Sequence, residues 1–271
     1  MFHPMVFPMR ANLIALCGFF AATLGLSVGS SAWAGQPVSA RGPERPIVIE
    51  LFTSQGCSDC PAADRLVTEL SRRRDVIALS LPITYWDMLG WKDTYATEAN
   101  TQRQKSYAKT MSHSGIYTPQ MIIDGRFDVV GNQRDRVMAA LAARTNDGLG
   151  ETSIPIAIGA VAGRLEITIP AAKTKTKPLG TIWVMRTLAQ GAVNIEQGEN
   201  RNHLLTYTNV VRDLQRAGEW TGEAMKIDVP LTLAKTRHDG IAVILQARDY
   251  GPVLGAATLQ LPAEERVAAP H

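Results

Sequence analysis

Cysteine is almost missing from this 271-residue chain: there are three, and Cys17 lies in an apolar stretch near the start. A small scaffold held together by many disulfides is thereby excluded. Charge of one sign is lacking too, since 28 Lys and Arg against 25 Asp and Glu leave a net charge of +3, with the basic residues scattered. No nucleic-acid surface is expected. The triplet Arg72-Arg73-Arg74 reads instead as the solvated end of a helix, where positive charge suits the helix dipole. Beyond residue 34 no run is long and apolar enough to cross a bilayer. There is no glycine-rich phosphate loop, no nucleophile elbow and no His-Glu-x-x-His helix, so hydrolase and nucleotide readings lack a starting residue.

The first 34 residues carry the one compartment signal. Arg10 precedes an apolar stretch from Ala11 to Leu26, and Ala32-Trp33-Ala34 is a small-residue site for cleavage before Gly35. Residues 1–34 are therefore expected to be a signal peptide, and the mature chain a periplasmic or secreted protein with no stable membrane insertion after cleavage. Leu16 before Cys17 does not suit a lipid anchor. About 237 residues then remain, enough for one large core or two moderate ones.

Periodicity divides those residues. Ile47 to Phe52 is a continuous apolar run, Ala62, Ala63, Leu66, Val67 and Leu70 mark a helical face, and Val76 to Leu81 is a second buried strand. Together they predict a βαβ unit with parallel strands. From Thr84 to about His113 the chain is polar and helical after an aromatic opening, and reads as an insertion. Met121-Ile122-Ile123, the Asp124-Gly125 turn and Phe127 to Val130 predict a hairpin, followed by a helix carrying Val137, Met138 and Leu141. After the Asn146-Asp147-Gly148 break come seven short β-type runs, at 154–158, 165–169, 181–187, 204–211, 225–229, 241–247 and 256–261. Two domains are expected, at 46–147 and 150–262, the second an all-β sandwich.

Chemistry is concentrated at Cys57-Ser58-Asp59-Cys60. Once the first segment is removed these are the only two cysteines, and they sit after a buried strand at the opening of a helix. Thiol–disulfide exchange needs a thiolate nucleophile and a second sulfur to resolve the mixed disulfide. At a helix N-terminus, unpaired N–H groups and the dipole favour a Cys57 thiolate, so Cys57 is the expected attacker and Cys60 the resolver. Ser58 and Asp59 tune the pair: the Asp59 anion disfavours the thiolate and argues against a very strong oxidant, while a Ser58 hydrogen bond offsets part of this.

The order strand, Cys-x-x-Cys at a helix start, strand, helical insert, Thr118-Pro119, hairpin and helix resembles the thioredoxin fold over roughly residues 46 to 145. The resemblance implies a cis bond at Pro119, placed opposite the reactive cysteine. More closely, Glu50 to Pro61, Tyr85-Trp86-Asp87 with Gly90-Trp91-Lys92-Asp93, Tyr117 to Met121, and Leu205 to Arg212 are similar to the secreted bacterial family called domain of unknown function 1223. The expected fold is thus an α/β thioredoxin-like domain with a helical insertion, followed by an all-β sandwich-like domain. Thr118, Pro119, Trp86 and Asp87 are the expected partner-binding residues, the latter two because they follow the strand that ends near the site. Most of Tyr85, Trp91 and Tyr95 is read as core.

The leading functional expectation is a periplasmic thiol–disulfide oxidoreductase acting on protein thiols or disulfides, without a cofactor. The alternative is a non-catalytic binding protein for a peptide or Cu(I), its disulfide serving structure. Zinc needs two further ligands, and His113, His203 and His238 are isolated, so no metal site is assigned. Glu199, Asn200, Arg201 and Arg212 read as the polar ends of a hairpin.

Overall fold

A computed structural model describes residues 2–3, 45–146, 153–174, 177–231 and 237–261. The chain divides into two units, Met1–Ala34 and Gly35–His271. Apart from residues 2 and 3, the expected signal peptide lies outside the described residues. Every described helix and strand belongs to the second unit.

β1 (Ile47–Thr53) and β2 (Val76–Pro82) are buried along their whole length, as their unbroken apolar runs require. They pair in parallel, from Ile47 opposite Val76 to Thr53 opposite Pro82, and α1 (Cys60–Leu70) makes the crossover. β3 (Gln120–Ile123) lies antiparallel on the other side of β1 and returns as β4 (Phe127–Val130) through Asp124 and Gly125, both at positive φ. Because side chains alternate along β1, Ile47, Ile49 and Leu51 join one apolar layer with α1 and α3 (Arg134–Asn146), while Val48 and Phe52 join another with Tyr107 of α2 (Glu98–Thr110).

The rest of the chain completes the same sheet. β7 (Gly180–Asn194) and β8 (Leu204–Trp220) form a long bulged hairpin, flanked by β10 (Gly240–Ala247) and β11 (Val253–Gln260). β8 meets β2 in parallel at Ser80 opposite Val210, so one eight-stranded mixed sheet runs β11-β10-β7-β8-β2-β1-β3-β4. β5 (Ala157–Val161), β6 (Arg164–Ile169) and β9 (Met225–Pro230) make a separate three-stranded sheet. Its Ile158, Leu165, Ile167 and Val229 share an apolar layer with Ile182, Val184, Trp220 and Val243 of the large sheet.

This corrects the expected architecture. The described residues do not form a thioredoxin-like α/β domain with a helical insertion followed by an all-β sandwich; they form a large mixed sheet with three α-helices among them. Two physical reasons account for the difference. β2 would expose a polar backbone edge, and β8 covers it: Asn209 Nδ2 donates to the Ala78 carbonyl at 3.0 Å and Ser80 Oγ to the Thr208 carbonyl at 3.0 Å. Further, α2 is not an insert seated outside the core. Its Arg103 and Tyr107 are fully buried, Arg103 pairing with Glu50 of β1 and donating at 3.1 Å to Gln246 of β10.

Candidate functional site

Cys57 and Cys60 are disulfide-bonded, with Cα atoms 5.4 Å apart. Cys60 opens α1, Pro61 sits in the first turn where its missing N–H costs nothing, and Asp59 occupies the cap position without a side-chain cap bond. The loop is tightened by Cys57 N donating to Ser54 O at 3.3 Å and Cys60 N to Cys57 O at 3.2 Å. Ser58 and Asp59 are exposed, yet Cys57 is only 2% and Cys60 0% accessible. Neither cysteine stands open to solvent.

The sequence-assigned neighbours divide into two groups. Trp86 is at the site: its indole N–H donates to Thr118 Oγ1 at 2.8 Å, and a Cβ added to Gly56, next to Cys57, would lie 3.3 Å from Trp86 Cβ. The Thr118–Pro119 bond is cis, Pro119 is buried, and its carbonyl accepts from Gly131 N at 2.8 Å. Gly131 must stay small, because a Cβ there would meet Leu51 Cδ1 at 2.9 Å and the Pro119 ring at 3.3 Å. Asp87 serves the loop that follows it, its carboxylate accepting from Asp93 N at 3.1 Å. Tyr85 and Trp86 pack against the α2-side core, while Trp91 and Tyr95 pack against Leu188, Tyr207 and Val210.

That loop braces the strand-to-helix turn before Cys57. Asp93, buried, accepts from the backbone N–H groups of Gln55 at 2.8 Å, Tyr95 at 2.8 Å and Ala96 at 3.0 Å. The Gln55 side chain accepts from Trp91 Nε1 at 2.8 Å and donates to Thr94 Oγ1 at 3.0 Å. Burial pushes the Asp93 carboxyl up, against the three N–H groups that favour its charge.

Two contributions escaped the sequence reading. The first is Asp64, one turn after Cys60 on α1 and 3% exposed. Thr53 Oγ1 donates to its Oδ1 at 2.9 Å, and among the described residues its Oδ2 has no hydrogen-bond partner. Desolvation pushes this carboxyl up to about 8, opposed by the Thr53 hydrogen bond and helped by the Asp93 charge. Tyr207 of β8 belongs to the same cluster, its phenol raised by burial and then by Asp64 and Asp93. The signal was available: residues 60, 63, 64, 67 and 70 fall on one helical face, and Asp64 is the acid among them.

The second is the turn between β7 and β8. Asn200, 5% exposed, donates through Nδ2 to the carbonyls of both Gln55 and Cys57, each at 2.9 Å, and Glu199 Oε2 accepts from Ser58 N at 3.1 Å. A turn more than 140 residues away in sequence thus grips the cysteine loop itself. Arg212, grouped with these residues in the sequence, lies instead over the Tyr95 ring at 4.7 Å and donates to the Thr94 carbonyl at 3.3 Å.

Residues 48–246, spanning both the cysteine loop and the turn that grips it, match the family described as Protein of unknown function (DUF1223). The chain belongs to this family. The DUF1223 match runs from β1 into β10, so the gripping turn is part of the family's matched region. An Agrobacterium tumefaciens protein solved by X-ray crystallography as a structural-genomics target is similar in fold. It is 29% identical, with a TM-score of 0.70, covering 85% of this chain and 98% of its own. No curated protein matches the chain. Among the described residues no helix is long and apolar enough to cross a membrane, and no group of three or more His, Cys, Asp or Glu side chains gathers as a metal site.

Proposed function

We propose that this DUF1223 protein exchanges thiols and disulfides with partner proteins in an oxidising compartment outside the cytoplasm. The observation that supports this best is a Cys-x-x-Cys disulfide at a helix N-terminus with a protonatable, buried carboxyl one turn behind the second sulfur. In the exchange, a partner thiolate attacks Cys57 Sγ. A partner–Cys57 disulfide forms as the Cys57–Cys60 bond breaks, and Cys60 Sγ leaves with the electron pair. Asp64, protonated below about 8, is the nearest candidate on α1 to give that sulfur a proton, and regains one from solvent. The partner's second thiolate then displaces Cys57, which also takes up a proton. The partner dithiol has lost two electrons and become a disulfide; Cys57 and Cys60 have become thiols.

The test is capture. A Cys60→Ala variant expressed in the native compartment should accumulate mixed disulfides through Cys57, separable on non-reducing gels and released by reductant. A second reading is favoured by the burial of both cysteines: a binding protein for a peptide or Cu(I), with the disulfide serving structure. In that case the variant captures no partner, and the exchange reading is rejected.

A further inference from the structure

We propose that the β7–β8 turn is a displaceable strap over the cysteine loop, and that the partner which displaces it is an extended polypeptide segment. The inference rests on the exchange reading above and adds who is admitted to the site. Exchange requires a thiolate to approach one sulfur along the S–S axis. With Cys57 at 2% and Cys60 at 0% exposure, something must move before that approach is open.

The strap is the part fitted to move. Its ends are anchored by Ile195 and Leu205, both buried, whereas residues 196–199 and 201–204 are exposed. Gly198 bends it at φ +79°, a conformation that L side chains rarely adopt. Between the anchors, Asn200 is the one residue that goes into the interior, and it does so to reach the cysteine loop. Two hydrogen bonds from Asn200 and one to Glu199 join strap and loop.

Those three bonds also describe the replacement. When the strap leaves, the loop presents the carbonyls of Gln55 and Cys57 and the N–H of Ser58. A segment of extended backbone carries matching N–H and C=O groups; a compact small thiol does not. Trp86, whose Cβ abuts Gly56 next to Cys57, leads into a turn on which Met88 and Leu89 are 81% and 54% exposed. They favour a partner with an apolar side chain near its cysteine.

The experiment measures reduction of the disulfide in the full chain by two dithiol probes, dithiothreitol and an unstructured reduced peptide whose two cysteines are flanked by leucines, each leaving as its own disulfide. In the unsubstituted protein the peptide should react faster per thiolate than dithiothreitol. Loss of two hydrogen bonds in Asn200→Ala should speed the dithiothreitol reaction about tenfold, and loss of one exposed bond in Glu199→Ala about threefold. The peptide rate should rise less in both, so the preference narrows. Unchanged dithiothreitol rates in both folded variants overturn the strap. A peptide no faster than dithiothreitol in the unsubstituted protein overturns the choice of partner. Glu199 is exposed, so its variant remains informative even where Asn200→Ala loses the fold. These rates are read in vitro with defined probes. Capture without strap effects rejects this inference alone, whereas strap effects without capture by Cys60→Ala reject the exchange reading alone.

Discussion

Carboxyl groups are buried in two places, and they are treated in opposite ways. In the sheet interior, Asp124 is held by Arg45 and Arg144, and Glu50 by Arg103 with the Tyr107 hydroxyl. At the cysteine end, among the described residues, Asp64 and Asp93 receive only neutral donors, a hydroxyl and backbone N–H groups. The first arrangement sets each carboxylate against buried guanidinium groups and ties strands to helices. The second pushes the proton affinity up beside the cysteine pair, where the proposed exchange would draw on a proton. Burial alone therefore does not decide what surrounds a carboxyl; the donors that the fold brings to it do.

The sharpest way to break this contrast is to remove the charge from a paired site. Asp124→Asn strands two buried guanidinium groups and should cost about 3–5 kcal/mol in urea unfolding. A loss below about 1 kcal/mol would mean that the arginines find other partners.

At the unpaired site the same substitution should act in reverse. The folded chain holds a proton on Asp64 up to about 8, while the unfolded chain releases it near the ordinary carboxylate value of 3.8. Between those limits the native state binds more protons, so stability falls as pH rises, by up to about 1.4 kcal/mol per unit, and levels off above about 8. Asp93, shifted the same way, adds to the slope. Asp64→Asn keeps the oxygen that Thr53 bonds and should flatten the decline, with a gain in stability larger at pH 8 than at pH 5. Equal pH slopes in the two proteins would refute an uncompensated Asp64.

A smaller effect is expected where the cysteine end is braced. Trp86→Phe loses the 2.8 Å bond to Thr118 and should lower stability by about 1 kcal/mol while leaving the pH slope unchanged. The smallest belongs to a pair exposed on both sides, Arg134 with Glu69. Arg134→Ala should leave the urea unfolding midpoint unchanged at ordinary salt, with any shift confined to low salt.

What could be read from the sequence was what acts over short range. The buried runs Ile47 to Phe52 and Val76 to Leu81, the cysteine pair at a helix start and the Asp124-Gly125 hairpin all formed where expected, because each is decided by neighbours in sequence. The strands β7 and β8 were seen only in part. Their continuations, Leu188 to Asn194 and Arg212 to Trp220, lack an alternating apolar pattern and are strands because each pairs with the expected run of the other strand, 188–194 with 204–210 and 212–220 with 180–186. That omission hid the shared sheet, and with it the reach of Glu199 and Asn200 to the site. Asn200 had no local signal at all: an amide that bonds carbonyls more than 140 residues away looks like any turn residue.

The junction of Ser80 with Val210 also sets an order of events during synthesis. When β1, α1 and β2 emerge, the partner that will cover the edge of β2 lies 130 residues further on, roughly ten seconds away at common elongation rates. Until then the nascent chain offers a bare strand edge to any neighbour. Native structure is thus a late acquisition, completed only when the C-terminal half arrives. A cell that makes this protein must shelter the first half while it waits.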